Sequence, residues 1–132
     1  MPDLNRREIA AIGFGGALGS LLRVWLGQRF ASGVGDWPWA TFAINISGTF
    51  VLACLATHLR ERLPSSTYRR SLLTTGFCGA YTTFSTMQVE ILKMLDHDRY
   101  ALAGGYALAS VLGGYLAICA GTALLRRVLA IA

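Results

Sequence analysis

An uncharged run from Thr74 to Thr86 combines hydroxyl side chains with Gly76 and Gly79. The run can lie within a membrane because it carries no charge, yet it holds more polar groups than a membrane anchor needs. Glycines favour a helix break, and a break frees backbone groups that lipid cannot satisfy. Irregular backbone at membrane depth is tolerated only where it is buried in protein or lines a watery path. The run therefore predicts a conduit or a binding site inside the bilayer.

Neutral hydrogen-bond donors are concentrated in the middle of three apolar segments. Amide and hydroxyl groups donate without a fixed charge, which suits an anion that must bind and then leave. The ring edge of Phe84 is electropositive and offers a further contact for a small anion. Taken singly, each Ser or Thr could instead bond its own helix, and Phe84 could simply pack. The donors are Asn45, Ser47, Thr49, Thr75, Thr82, Thr83, Ser85, Thr86, Tyr106, Ser110 and Tyr115.

The chain lacks the residue sets that catalysis requires. It has no Ser-His-Asp arrangement, no cluster of metal ligands and no phosphate-binding loop, so we predict that it is not an enzyme. Glu90, near the end of the third segment, is the only acid within a membrane segment. A proton-coupled pump usually places a carboxylate or a histidine at mid-membrane, and none lies there.

The composition predicts an all-α, multi-pass membrane protein. Of its 132 residues, 54% are hydrophobic and only 14% are charged. A bilayer crossing needs about 20 apolar residues. We predict a single domain, residues 1–132, of four transmembrane helices with the third broken mid-membrane. The approximate helices are 7–31, 38–62, 68–95 and 99–128.

Small residues recur at a spacing of four in the first and last segments, as in Gly15/Gly19 and Gly105/Ala109. Such spacing lets membrane helices approach closely, so tight helix packing is the default interpretation.

The net charge of +5 comes from arginines at segment ends, which is typical of anchoring at a lipid surface rather than of nucleic-acid binding. With both termini inside, eight basic residues lie on the inner side and three on the outer side, which favours cytoplasmic termini. Arg23 either extends to the interface or raises the potential for anions at a pore mouth. The inner residues are Arg6, Arg7, Arg60, Arg62, Arg69, Arg70, Arg126 and Arg127; the outer ones are Arg29, Lys93 and Arg99.

Three stretches resemble the CrcB/Fluc family of fluoride channels. Residues 15–23 are similar to its glycine-rich first helix ending in arginine, and residues 39–50 to its second-helix signature around an asparagine. Residues 75–86 resemble its broken third helix, the most distinctive motif. The likeness covers nearly the whole chain.

The resemblance implies an antiparallel, dual-topology homodimer in the bacterial inner membrane. Each dimer would hold two pathways for passive, selective export of fluoride from the cytoplasm, which relieves fluoride toxicity. A structural Na⁺ at the dimer centre would be held by backbone carbonyls at Gly79 and Thr82. The matching pathway positions are Asn45, Phe84, Ser85, Thr86, Tyr106 and Ser110, with Thr41 towards a vestibule and Arg23 as the family arginine.

Two features depart from the family pattern. Met87 stands where the family usually has a second phenylalanine, and it lacks a polarised ring edge. The arginine bias predicts one orientation, whereas an antiparallel homodimer needs both. Either the bias is too weak to dictate insertion, or the chain pairs with an oppositely oriented homologue.

Two other functions compete with a fluoride channel. A small multidrug-type, proton-coupled exchanger would also be a four-helix antiparallel dimer, but it would need a mid-membrane carboxylate. A non-conducting assembly subunit would use the glycines for packing alone, which leaves the threonines around Phe84 unexplained.

Overall fold

A computed structural model describes residues 5–61 and 67–131, and these ranges contain helices and no strands. The predicted all-α class is confirmed. Arg62, predicted as the end of the second helix, and residues 63–66, predicted to lie between the second and third helices, are outside the described ranges. Where both are defined, predicted and observed helix ends differ by at most three residues. The helices are α1 (Arg6–Arg29), α2 (Trp39–Glu61), α3 (Thr67–Arg70), a π-helix π1 (Ser71–Cys78), α4 (Gly79–Tyr81), α5 (Phe84–Asp96) and α6 (Tyr100–Ile131).

Three helices, α1, α2 and α6, are long and apolar enough to cross a membrane. The segment between α2 and α6 is divided into two halves. Its first half, residues 67–81, runs through α3, π1 and α4, and its second half is α5. The chain is thus a membrane protein in which one hydrophobic segment is interrupted.

The interruption consists of Thr82 and Thr83, whose backbones are extended at φ −76°, ψ 154° and φ −146°, ψ 113°. The predicted break in the third segment is therefore present. Thr83 begins α5 as its N-cap, and its hydroxyl accepts a hydrogen bond from the Thr86 amide at 3.2 Å. Threonine suits this position because its side-chain oxygen satisfies an amide that has no helical acceptor.

Close backbone packing joins α1 to the first half of the broken helix. A Cβ atom on Gly15 would collide with the Leu72 carbonyl, and one on Gly19 would collide with the Phe77 carbonyl. On the facing helix, a Cβ on Gly76 would lie 2.7 Å from the Ile12 oxygen. The close packing predicted for Gly15/Gly19 is confirmed, because only glycine fits at these contacts.

The last helix, α6, packs along α2 and α5. Gly121 faces the Phe50 carbonyl, which a Cβ would meet at 2.8 Å. Nearer its N-terminus, Ala103 and Tyr106 form a buried cluster with Met87 and Met94 of α5. No atom lies within 4 Å of a Cβ built on Gly105, so the close packing predicted there is not made within the described part of this chain.

The connection between α1 and α2 is fixed against the turn before α6. Gly35 adopts φ +78°, a conformation that favours glycine, and lies over the His97 ring. Asp36 forms an ion pair with Arg99 at 3.3 Å. These contacts hold the loop over one end of the helix bundle.

Candidate ion pathway

A side-chain amide from α2 meets the backbone at the break. The Thr83 amide donates to Asn45 Oδ1 at 2.8 Å, and Asn45 Nδ2 donates to the Thr83 carbonyl at 3.0 Å. Asparagine can do both because it carries a donor and an acceptor on one planar group. One of the two Nδ2 protons remains, so Asn45 keeps a single donor for another partner.

A second polar group joins three helices. The Thr41 hydroxyl on α2 donates to Glu90 Oε1 at 2.5 Å, and the Tyr106 hydroxyl on α6 donates to Glu90 Oε2 at 2.8 Å. Tyr106 is fully buried. Both hydroxyl protons therefore point to the carboxylate of α5, and Thr41 and Tyr106 offer oxygen lone pairs, rather than protons, to other ligands.

A cavity of about 320 Å³ lies beside this group, under the α1–α2 loop. Thr41, Thr86, Glu90 and Lys93 line one side of it, and the loop around Gly33 lines the other. The Thr86 oxygen accepts a bond from the Thr83 hydroxyl at 2.9 Å, which leaves the Thr86 proton free to donate. The cavity thus connects the surface to the hydroxyls at the start of α5.

Phe84 and Ser85 follow the break and stand out from the bundle. Phe84 is 72% exposed, as several other large apolar side chains of this chain are. Ser85 is also exposed, and its hydroxyl lies 3.4 Å from that of Thr83. These two residues face away from the chain's own core and are available to lipid or to another subunit.

Met87 is oriented differently from Phe84. Its side chain is 9% exposed and packs with Met94, Ala103 and Tyr106 in the core cluster. Met87 thus packs against Tyr106 and does not line the cavity next to Glu90. A pathway role for Met87 stays a prediction.

Ser110 lies one helical turn beyond Tyr106 on α6. Its oxygen is buried and has no hydrogen-bond partner among the described residues. A buried hydroxyl without a partner costs free energy, so such a group is a candidate for binding a ligand that the chain alone does not supply.

Arg23 turns inward from α1. Its Nε donates to the Ala80 carbonyl at 3.0 Å, in the last turn before the break. Carbonyls at a helix C-terminus have no helical partner and carry partial negative charge, which favours a cation there. One guanidinium group therefore stabilises the end of the first half helix. This contact differs from both roles proposed from the sequence, which were extension to the membrane interface and attraction of anions at a pore mouth. It joins Arg23 to the backbone just before the break.

Gly79 and Thr82, the predicted cation ligands, lie on either side of the last turn of the first half helix. In a continuous helix the Gly79 carbonyl would accept from the Thr83 amide. That amide donates to Asn45 instead, so the Gly79 carbonyl is released from its helical partner. Thr82 is held by its amide and hydroxyl, which both donate to the Cys78 carbonyl, at 3.1 and 3.0 Å.

The predicted residues thus fall into distinct groups. One group surrounds Glu90 and consists of Thr41, Thr86 and Tyr106. Asn45 bonds the backbone at the break. On the N-terminal side of the break lie Gly79 and the contact that Arg23 makes with Ala80. The sequence named Thr83 only as one of many neutral donors and gave Glu90 no site role, yet each is the centre of one of the two hydrogen-bond groups. The signals were present, since Glu90 is an acid inside the interrupted hydrophobic segment and Thr83 lies in the threonine run.

Known proteins similar to this chain cover almost all of it. A relative from Mycolicibacterium paratuberculosis, named "Fluoride-specific ion channel FluC 1", is 55% identical over 128 residues, 97% of each chain. Its namesake from Mycobacterium bovis is 48% identical over 128 residues, again 97% of each chain. "Fluoride-specific ion channel FluC 2" of Geobacillus kaustophilus is 39% identical over 114 residues, 86% of this chain and 88% of that one.

The family profile described as "CrcB-like protein, Camphor Resistance (CrcB)" matches residues 10–122. The match includes most of α1, all of α2 and the broken helix, and most of α6, and with them every candidate pathway residue. The chain belongs to the CrcB family.

Proposed function

We propose that this chain is the subunit of a fluoride-specific ion channel that lets fluoride leave the bacterial cytoplasm passively through the inner membrane. The observation that carries the proposal is a helix interrupted among neutral donors, in a chain 55% identical to a protein named as such a channel. Passive export relieves fluoride toxicity without an energy source.

The proposed subunit crosses the membrane four times. The first half, residues 67–81, and α5 together form the third crossing, beside the three long apolar helices. Asn45 bonds both the amide and the carbonyl of Thr83, and the Thr83 hydroxyl accepts from the Thr86 amide. These bonds provide partners for backbone groups that lipid could not satisfy.

The donors that remain free define the proposed route. They are the second proton of Asn45, the hydroxyl proton of Thr86, the ring edge of Phe84 and the unpartnered hydroxyl of Ser110; the Ser85 hydroxyl lies beside them and donates to Thr83. None carries a fixed charge, so each interaction is weak enough for an anion to leave again. Thr41 and Tyr106 contribute by fixing the orientation of Glu90, which lines the same cavity.

An antiparallel homodimer completes the route. Phe84 and Ser85 are exposed on a single chain. On α6, the surface at Gly104 and Gly105 is also open, since a Cβ built on either glycine would meet nothing within 4 Å. A second copy packed against these surfaces would bury the phenylalanine and enclose the donors next to it. Two copies related by a two-fold axis would then form two pathways.

A structural Na⁺ fits at the centre of such a dimer. The donor chemistry is appropriate because hard cations prefer oxygen ligands. The Gly79 carbonyl is freed from its helical partner, and that of Thr82 lies at the break. These carbonyls from both copies would hold the ion, which would fix the two broken helices against one another.

A proton-coupled exchanger is the alternative to test against. The measurement is fluoride flux from proteoliposomes with and without a pH gradient. We expect the initial rate of fluoride loss to follow the fluoride gradient alone, whereas a multidrug-type exchanger, which exchanges protons for a cationic drug, would leave fluoride inside in both conditions.

A further inference from the structure

We infer that Asn45 is a positioning residue that holds the helix break in place, in addition to any contact with the anion. This inference rests on the proposed function, and it concerns how the pathway is built. The observation is the pair of hydrogen bonds that joins both Asn45 amide atoms to the backbone of Thr83, at 2.8 and 3.0 Å.

The break creates a need that few side chains can meet. Extended backbone at Thr82 and Thr83 takes the Thr83 amide away from the carbonyl four residues earlier. An unsatisfied amide is costly in a membrane interior, where water is not available to replace the partner. Asn45 supplies an acceptor and a donor in the geometry of a peptide group, as a neighbouring strand would.

The rest of Thr83 is held by its own helix. Its hydroxyl accepts from the Thr86 amide and donates to the Thr86 hydroxyl, and its side chain is 8% exposed. Asn45 therefore joins the start of α5 to α2, while Thr41 joins α2 to Glu90 further along α5.

The consequence falls on Phe84, the next residue. Its ring is 72% exposed and stacks on no other aromatic ring within the described ranges, so its position depends on the backbone of Thr83. Displacing Thr83 would displace the ring edge that we propose meets the anion. Asn45 thus controls the geometry of a donor that it does not touch.

Amide hydrogen exchange at single-residue resolution tests this directly on the full-length protein in bilayer nanodiscs. In the wild type, we expect the Thr83 amide to exchange at least about tenfold more slowly than an unprotected amide, because it is bonded to Asn45. An unprotected Thr83 amide in the wild type would overturn the inference without any variant.

Two variants then separate positioning from anion binding. Asn45→Asp keeps an acceptor for the Thr83 amide and loses both donors, whereas Asn45→Leu, of similar size, loses all three hydrogen-bonding functions. We expect Thr83 exchange to rise in the order wild type, Asp, Leu, by about tenfold for Leu, with fluoride-over-chloride selectivity falling in the same order. Reduced flux with wild-type exchange in both variants would mean that Asn45 acts only as an anion ligand and would overturn the inference.

Thr57→Val is the matched control on the same helix. The Thr57 hydroxyl bonds the Ala53 carbonyl of its own helix at 2.8 Å and contacts no part of the break. In the Thr57→Val variant, amide exchange at Thr83 and fluoride-over-chloride selectivity should equal those of the wild type. If Thr83 exchange rose as much as in Asn45→Leu, the cause would be a general loosening of α2, which would contradict a specific role for Asn45. Because exchange is read without fluoride, a failure here is distinguishable from a failure of the proposed channel activity.

Discussion

At the scale of single residues, the candidate pathway is built from polar groups that are mostly already paired. Asn45 serves the break, and Thr41 and Tyr106 serve Glu90. Pairing fixes their orientation, and it also decides which protons remain for an anion. A donor inventory read from the sequence therefore overstates the number of free donors.

Phe84→Ile tests the exposed ring. Isoleucine keeps an apolar side chain but has no polarised ring edge. We expect fluoride flux to fall about tenfold, which corresponds to losing an interaction of about 1.4 kcal/mol, while the dimer remains intact. Flux is measured in liposomes and assembly by size-exclusion chromatography; unchanged flux from an intact dimer would remove Phe84 from the pathway.

Tyr106→Phe tests the group around Glu90. The substitution removes one donor to a carboxylate in a buried site, and we expect a loss of about 1.5–3 kcal/mol in stability. Thermal unfolding in detergent gives the comparison. Tyr115→Phe on the same helix, where the side chain is 65% exposed, is the control and should leave the unfolding temperature unchanged. Equal stability of both variants would contradict the assigned hydrogen bond.

At the scale of elements, the glycines of α1 let two helix backbones touch. Gly15 and Gly19 face carbonyls of the first half of the broken helix, which explains why that half lies against α1 despite its irregular π-helical turn. Arg23 on the same helix bonds the Ala80 carbonyl just before the break. One helix thus positions the first half, and α2 positions the second.

Gly15→Ala should disrupt this contact. Its methyl group would meet the Leu72 carbonyl and lie 3.0 Å from the Phe77 nitrogen, both of them backbone atoms that cannot rotate away. We expect a destabilisation of about 1–3 kcal/mol, the usual cost of overpacking. Gly13→Ala is the matched control because nothing lies within 4 Å of its Cβ. Equal thermal stability of the two variants would show that α1 does not pack as described.

The elements were largely predictable, and their contacts were not. Long runs without charged residues predicted the apolar segments, and the Gly15/Gly19 spacing predicted close packing. Glycines beside threonines predicted the break. The partners of Glu90 could not be predicted, because Thr41 and Tyr106 are distant in sequence and meet only when three helices pack. Met87 shows the same limit: the family resemblance suggested the pathway for it, and its contacts in the core cluster are made only when α5 packs against α6.

At the scale of the whole molecule, one chain leaves its pathway open on one side. Phe84 and Ser85 are exposed, and the face around Gly105 is open. The proposed second copy would cover these surfaces. The arginine bias towards cytoplasmic termini opposes an antiparallel arrangement, and orientation is therefore the property of the assembly most in need of a direct experiment.

Reporter fusions at the C-terminus test orientation. One fusion carries a reporter that is active only in the cytoplasm, and the other carries a reporter that is active only in the periplasm. We expect comparable activity from both when the chain is expressed alone, because a dual-topology homodimer inserts in both orientations. A variant with one added arginine pair in the α5–α6 turn is the control, since it should shift the ratio. A single active reporter from the unaltered chain would show that the arginine bias dictates insertion and that a homologue supplies the other subunit.

The central claim is that this chain alone forms a fluoride-selective passive pathway. The most direct measurement is fluoride efflux from liposomes containing the purified protein, followed with a fluoride electrode and with chloride efflux as the control. We expect rapid loss of fluoride with no loss of chloride. Retention of fluoride by liposomes that contain the folded dimer would contradict the claim.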